Sequence, residues 1–465
     1  MTLYEYVDRI KNKRIAVIGV GVSNMPLIEL LLDQGCDVTA CDRRSFEQMG
    51  ADGQHLLDIG AKLKLGDDYL EGLDFDLIFR APSLMPFEKH LQEAMSKGAL
   101  VTSEMEVFMS LCPCRTIAVT GSDGKTTTSS IIAELLNAAG YTVHLGGNIG
   151  HPLLCDLPDF QDGDIAVLEL SSFQLHSMLC QPDVAVITNV SPNHLDIHKD
   201  YQDYIDAKRA VFEFQNPSGR LVMNLDDSMT HYFEQYSCAH KAYFSDKSAV
   251  NEGAMFEDGV IYRIADGIRR PVMKASEILL PGEHNLLNYL SAFAAVEGLV
   301  DDRTCAAVAK TFAGVEHRLE LVRVLHGVSY INDSIATSPT RTIAGLHALK
   351  TKPIVIAGGY DKGIPFDSLA DELCLYSKRL FLTGDTAGKI YEAVCHSPCY
   401  ELNPIEMSIV EDFSQAVWEA SACAKSGDIV LLSPACAAFD RFKNFVERGK
   451  LFKSIVSELD KSDLE

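Results

Sequence analysis

Short apolar runs, each followed by a segment of helical length, recur from one end of this chain to the other, and they constrain its fold more than any other feature. RIAVIGV from Arg14, CDVTACD from Cys36, DFDLIFR from Asp74 and ALVTSE from Ala99 make a first block. RTIAVTG from Arg115, DIAVLEL from Asp164 and DVAVITNV from Asp183 open a second, followed by an irregular stretch where LVMNLDD, KAYFS and GVIYRI predict extra strands. VSYINDS, PIVIAGG, RLFLTGD and DIVLLSP make a third. Strands buried on both faces read as continuous apolar runs, and parallel neighbours need helical crossovers. The class expected is therefore α/β, in three domains at residues 1–112, 113–314 and 315–465, with junctions at SLCPCR around Cys112 and FAGVEHR around Gly314.

Composition narrows the partners. A formal net charge of -24 argues against nucleic acid, which needs a basic face. With 47% hydrophobic and 23% charged residues, no run long enough to span a bilayer and no secretory pattern in MTLYEYVDRIKNKR, a protein of the cytoplasm with no membrane partner is expected. The 13 cysteines read as reduced thiols. Cys112-Pro-Cys114 lacks the second pair that structural zinc requires.

Two glycine signatures carry the chemistry. Gly19-Val20-Gly21-Val22-Ser23-Asn24 follows an apolar run and precedes a helical pattern, with Asp42 closing the next run, as in a Rossmann-like nucleotide site. Asn24 stands where the third glycine belongs, and it is expected to hinder close packing of helix on strand. That weakens a nicotinamide reading, while the turn itself still suits phosphates. The second signature is AVTGSDGKTTTSS. Here Gly121 and Gly124 free the backbone to turn its N–H groups inward, Lys125 supplies a point charge, and Thr126 offers a hydroxyl to magnesium. The full Walker A pattern asks for a glycine at Val119, so the loop is a shortened P-loop, and the following segment to Gly140 reads as a helix whose N-terminus faces the anion.

Ligands of open parallel sheets gather at the carboxyl ends of strands. Thr120 with the glycine loop, Glu169, and the TNV segment leading to His194 should meet at one such edge. Glu169 interrupts an apolar run, and a buried carboxylate needs a cation or a partner. His194 favours a ligand or catalytic role; His198, four residues on, favours a structural one. Asn285 and Asn288 share one face of a helix start, either reading a base or capping the helix. Nothing local marks Lys208.

GGNIG, LELSSFQL, NVSPNHLDIH, GEHNLLN and EHRLE, in this order behind the short Gly-x-x-Gly-Lys-Thr loop, resemble the Mur ligase family of ATP-dependent amino-acid-adding enzymes of peptidoglycan synthesis. The likeness runs over almost the whole chain. INDSIATSPTRT, GGYDK and LLSPACAAFDRFKNFVERG resemble the branch that adds D-glutamate to UDP-N-acetylmuramoyl-L-alanine.

The resemblance implies a Rossmann-like first domain holding the UDP substrate, a central P-loop domain of ATPase type with a parallel sheet, and a Rossmann-like third domain for the incoming amino acid. It places Gly121, Ser122, Asp123, Gly124, Lys125, Thr126, Thr127, Asn285, Asn288, Arg318 and Asp333 on ATP. Thr126, Glu169, His194 and a carbamylated Lys208 serve two magnesium ions, and Lys125, Glu169, His194 and Lys208 form the catalytic set. Gly19, Gly21, Val22, Ser23, Asn24, Asp42 and Arg43 take the UDP end, and Asn148 and Ser171 contact the muramoyl substrate. Thr337, Lys362, Phe439 and Phe445 receive D-glutamate. A monomer is implied. Three positions depart from the family pattern: Ile335 replaces a lysine, Ala438 a serine, and Ala81-Pro82-Ser83 stands for SPG. The rival readings are a related ligase with another acceptor, such as a folate, and a nicotinamide oxidoreductase built on the first block.

Overall fold

The computed structural model describes every residue except Val22, Leu195, Asp196, Pro281, Lys350, Lys362 and 460–465. Its chain forms two compact units, Met1–Phe312 and Ala313–Glu465.

The first unit carries two sheets. In one, β1 (Arg14–Ile18), β2 (Asp37–Asp42), β3 (Lys62–Leu65), β4 (Leu77–Arg80) and β5 (Leu100–Thr102) lie in the order β3-β2-β1-β4-β5, every pairing parallel. Helices occupy the crossovers from β1 to β2, β2 to β3 and β4 to β5, while turns alone link β3 to β4.

The other sheet contains β6 (Arg115–Thr120), β7 (Val143–Gly147), β8 (Ile165–Glu169), β9 (Val184–Ile187), β10 (Arg220–Asn224), β11 (His240–Ser245), β12 (Gly253–Glu257), β13 (Val260–Ala265) and β14 (Ile268–Lys274). Their order is β14-β13-β12-β11-β10-β9-β6-β8-β7. The central sheet is parallel from β7 to β12, and the extra strands expected after it close the sheet as an antiparallel meander, β12-β13-β14. The cause is local. Asp258-Gly259 and Asp266-Gly267 occupy tight turns with both residues at positive φ, which return the chain at once without a helix.

One core of this unit runs from the first sheet (Ile15, Val17, Leu77) through the helix Glu104–Leu111 to one face of the second (Ala118, Leu168, Ala185). The other face of the second sheet is covered by the helices Lys125–Ala138 and Glu283–Ala295.

In the second unit β15 (Glu320–Leu325), β16 (Val328–Asn332), β17 (Ile354–Ala357), β18 (Arg379–Leu382), β19 (Glu406–Ile409) and β20 (Ile429–Leu432) take the order β15-β16-β20-β17-β18-β19. Only the β15-β16 pairing is antiparallel. Among the described residues no helix is long and apolar enough to cross a membrane.

Candidate active site

β6 lies between β8 and β9, so three strand exits share one edge. Hydrogen bonds fasten them together: Thr120 Oγ1 donates to the Leu170 carbonyl at 2.8 Å, Thr188 N to the Thr120 carbonyl at 3.0 Å, and Ser122 N to the Asn189 carbonyl at 2.9 Å. Between them runs the glycine loop. Gly121 has φ +152°, and a Cβ there would lie 1.9 Å from Thr188 Oγ1; Gly124 has φ +78°, and a Cβ would lie 2.4 Å from Asn288 Oδ1. Both positions admit only glycine, because the loop is threaded between two polar side chains.

The helix that follows starts at Lys125, with Gly124 as its N-cap and no side-chain cap. A helix N-terminus of this kind attracts anions through its dipole. KTTTSS is a weak helix former, and burial of Thr126, Thr128, Ser129, Ile131, Ile132, Leu135 and Leu136 overrides that preference. Thr128 Oγ1 donates to Asn288 Oδ1 at 3.3 Å, and Asn288 Nδ2 to Asn285 Oδ1 at 3.1 Å. The asparagine pair is buried and joins the two helices at the loop, so it is more than an N-cap. Asp123 is exposed, and Thr127 half-buried, at the same loop.

Two lysine side chains converge on one oxygen. Lys125 Nζ donates to the carbonyls of Gly121 and Ser122 at 2.9 and 2.8 Å, and Lys208 Nζ reaches the same Gly121 carbonyl at 2.7 Å. Lys208 is 1% exposed and lies over the Tyr204 ring, 4.5 Å from its centroid. Burial, and after it the Lys125 charge, push its amine well below the ordinary lysine range against the pull of Asp123 and Glu169.

Glu169, at the end of β8, is 2% exposed. Its Oε1 accepts from Asn148 Nδ2 at 2.8 Å, while Oε2 is buried with no hydrogen-bond partner. An orphan carboxylate oxygen beside a phosphate-binding loop is what a cation-binding edge presents. Asn148 is itself held by its N–H on the Glu169 carbonyl at 2.7 Å. Ser171 caps the short helix Ser172–Leu175 directly after β8. His194 has φ 55°, is exposed, and lies against Phe173 with ring centroids 5.0 Å apart. The buried donors and this orphan oxygen fit magnesium.

In the first sheet the turn after β1 is held tightly, and one expectation is corrected. Asn24 does not obstruct packing: it is buried, and its Nδ2 donates to the carbonyls of Ile18 and Gly19 at 3.1 and 3.0 Å. The amide thereby clamps the turn that a third glycine would leave open. Gly19, φ +84°, packs against Ala81, which a Cβ would approach to 2.7 Å. Asp42 accepts from Val20 N at 2.8 Å and from Arg44 N and Nε at 2.9 and 3.0 Å, which holds its carboxyl below the usual range against burial. Gly21 and Arg43 are exposed and Ser23 half-buried; Val22 lies outside the described residues.

In the second unit Asp333, beyond β16, is 4% exposed. It accepts from Ser433 Oγ at 2.8 Å and Leu319 N at 3.2 Å, yet burial pushes its carboxyl up to about 6. Arg318 is exposed and its charge opposes that rise. Thr337 N donates to the Ile335 carbonyl at 2.8 Å. Phe445 sets its ring edge-on to His317 at 6.2 Å, whereas Phe439 is 63% exposed against Tyr360. Ala438 is buried, and Lys362 lies outside the described residues.

Sequence reasoning missed Arg448. It is 2% exposed, and its guanidinium donates to the carbonyls of Ser334, Cys436 and Ala437 at 3.0, 3.0 and 3.2 Å, pinning two loops with a buried cation. Tyr204, whose hydroxyl meets Ser122 Oγ at 2.9 Å, was missed as well. Both are single residues in helices, and only the tertiary fold brings them to a loop.

The Mur ligase middle domain matches residues 119–296, and the Mur ligase glutamate ligase domain residues 317–436. A UDP-N-acetylmuramoylalanine--D-glutamate ligase of Clostridium beijerinckii is 47% identical over 98% of this chain and 99% of its own. The enzyme of that name from Acetivibrio thermocellus is 46% identical over the same shares. The solved UDP-N-acetylmuramate-alanine ligase of Thermotoga maritima shares the fold, with a TM-score of 0.54 over 96% of this chain and 99% of that one at 16% identity. A short P-loop between three tethered strand exits, and relatives of this identity over nearly full length, place the chain in the Mur ligase family.

Proposed function

We propose that this protein is an ATP-dependent amide ligase that joins D-glutamate to UDP-N-acetylmuramoyl-L-alanine in peptidoglycan precursor synthesis. The observation that carries the reading is the Gly121 carbonyl shared by Lys125 and Lys208 beside the orphan Glu169 oxygen, in a chain whose 47% identical relative bears that activity in its name.

The substrate carboxylate attacks the γ-phosphorus of ATP, ADP leaves, and an acyl phosphate forms. The D-glutamate amine then attacks the acyl carbon, loses a proton, and expels inorganic phosphate as the amide bond closes. Both reactants of the first step are anions. The helix N-terminus at Lys125 binds the phosphates, and the Lys125 ammonium offsets their charge. Magnesium, held by Thr126, Glu169, His194 and Lys208, supplies further charge neutralisation when bound. Lys208 suits that set as a carbamate: burial lowers its amine toward the neutral form, which can add carbon dioxide and become an anion, whereas an ammonium would repel the metal. Asn285, Asn288, Arg318 and Asp333 complete the ATP contacts. Asn148 and Ser171 orient the muramoyl carboxylate, and the Gly19–Asn24 turn with Asp42 and Arg43 takes the UDP end. Thr337, Lys362, Phe439 and Phe445 receive D-glutamate. The domains are 1–112, 113–314 and 315–465, and the protein works as a monomer in the cytoplasm.

Incubation with ATP, magnesium, UDP-N-acetylmuramoyl-L-alanine and either glutamate enantiomer tests this. Phosphate release with the D-enantiomer alone is expected; equal release without any amino acid defeats the reading. A folate-type acceptor or a nicotinamide reaction has no observation in its favour.

A further inference from the structure

Asp203, in the first turn of the helix Tyr201–Arg209, holds two histidines at once. Its Oδ1 meets His176 Nε2 at 2.9 Å and its Oδ2 meets His198 Nδ1 at 2.8 Å. Burial works against this carboxylate, but the bonds from His176 and His198 hold it below its ordinary range. A carboxylate only accepts, so both ring nitrogens facing it carry hydrogen. His198 is 3% exposed, and its remaining nitrogen, Nε2, is hydrogen-bonded to Ser172 Oγ at 2.9 Å.

The consequence is geometric. Ser172 begins the short helix after β8 and His176 is its C-cap, so Asp203 grips both ends of the turn that carries Ser171. His198 also connects outward. Its ring stacks on Phe173 at 5.4 Å and 12°, Phe173 lies against the His194 ring, and the His198 backbone N–H donates to the His194 carbonyl at 3.0 Å. On the other side it packs edge-on against Tyr204 at 5.3 Å, and the Tyr204 hydroxyl holds Ser122 of the glycine loop.

We propose that Asp203 is a positioning residue: by fixing the tautomer of His198 and tethering His176, it sets where the His194 ring, the Ser171 turn and Ser122 stand. This rests on the reading of the site given above. It touches no substrate. The three donor atoms lie within 4.8 Å of one another, which also suits a transition metal, but each nitrogen-to-oxygen contact has hydrogen-bond length.

Asp203→Asn in the full-length protein tests the assignment, because an amide must present N–H to one of the rings and so reverse one bond. Removing a partner of this outer kind weakens metal affinity or turnover by about 10–100-fold. We expect a manganese titration in the presence of ADP, read by electron paramagnetic resonance, to show affinity reduced by about tenfold. Half-saturating magnesium should rise to match, with KM for D-glutamate and the melting temperature near wild type. Ser172→Ala should move manganese affinity the same way by less, and Asp206→Asn, on the same helix, should not move it. Unchanged manganese binding in Asp203→Asn, a fall in melting temperature that scales all parameters together, or stoichiometric zinc in the purified protein that disappears in the variant would each overturn the proposal. If the wild type fails the D-glutamate assay, the manganese titration still decides the role of Asp203.

Discussion

At Gly121 a single missing methyl group keeps the loop passable. Gly121→Ala would set a Cβ 1.9 Å from Thr188 Oγ1 at φ +152°, a strain of about 1–3 kcal/mol before any shift of Thr188. ATP binding by calorimetry should fall by at least roughly tenfold. Lys208→Ala should fold normally yet lose roughly 10³-fold in kcat, the scale of removing one preorganised charge contact. Short carboxylic acids should restore part of that activity, since they return the missing anion. Glu104 offers a stability test away from the chemistry. It is buried, accepts from Leu154 N at 2.9 Å, and burial pushes its carboxyl from 4.5 up to about 7. Below pH 4.5 both folded and unfolded chains are protonated there and nothing is lost. As pH rises through that value the unfolded chain gives up its proton first, so stability declines until about pH 7 by up to roughly 3 kcal/mol. Glu104→Gln keeps the Leu154 bond without titrating. Its melting temperature should therefore match wild type near pH 4.5 and exceed it most above pH 7.

Most strands were legible in the sequence according to where they lie in their sheets; β12, interior but unmarked, and β5, an edge marked by ALVTSE, are exceptions. β6, β8, β9, β17 and β20 are interior, covered on both faces, and stand out as apolar runs. Among the strands that no such run marks, β3, β7, β14, β15 and β19 are all sheet edges, with sequences such as KLKL and EMSI whose polarity protects an unpaired side. The glycine loop was legible because strand, turn, lysine and helix follow one another along the chain. The Asp203 cluster and Arg448 were not, because they also join residues far apart in the chain, His176 to Asp203 and Ser334 to Arg448, which no local pattern records. Asn24 misled for a related reason: a side chain was weighed by its bulk, while its amide supplied two hydrogen bonds that no pattern records. Asn24→Ala should cost about 1–3 kcal/mol by removing both amide bonds from the buried turn, measurable by urea unfolding.

For the molecule as a whole, two compact units predict two calorimetric transitions. Nucleotide at about 100 times its dissociation constant should stabilise the unit carrying the P-loop by about 2.7 kcal/mol, and Gly121→Ala should abolish that shift. The antiparallel meander that closes the large sheet has a consequence of its own. Its outer strand, β14, reads IRRPVMK: Pro271 lacks the donor that an incoming strand would need, and Arg269 and Arg270 set charge beside it. A sheet of nine strands is thus stopped from recruiting a tenth on that side. Crowded solutions of this protein should resist fibril growth from that border, and Pro271→Val together with Arg269→Thr would open it.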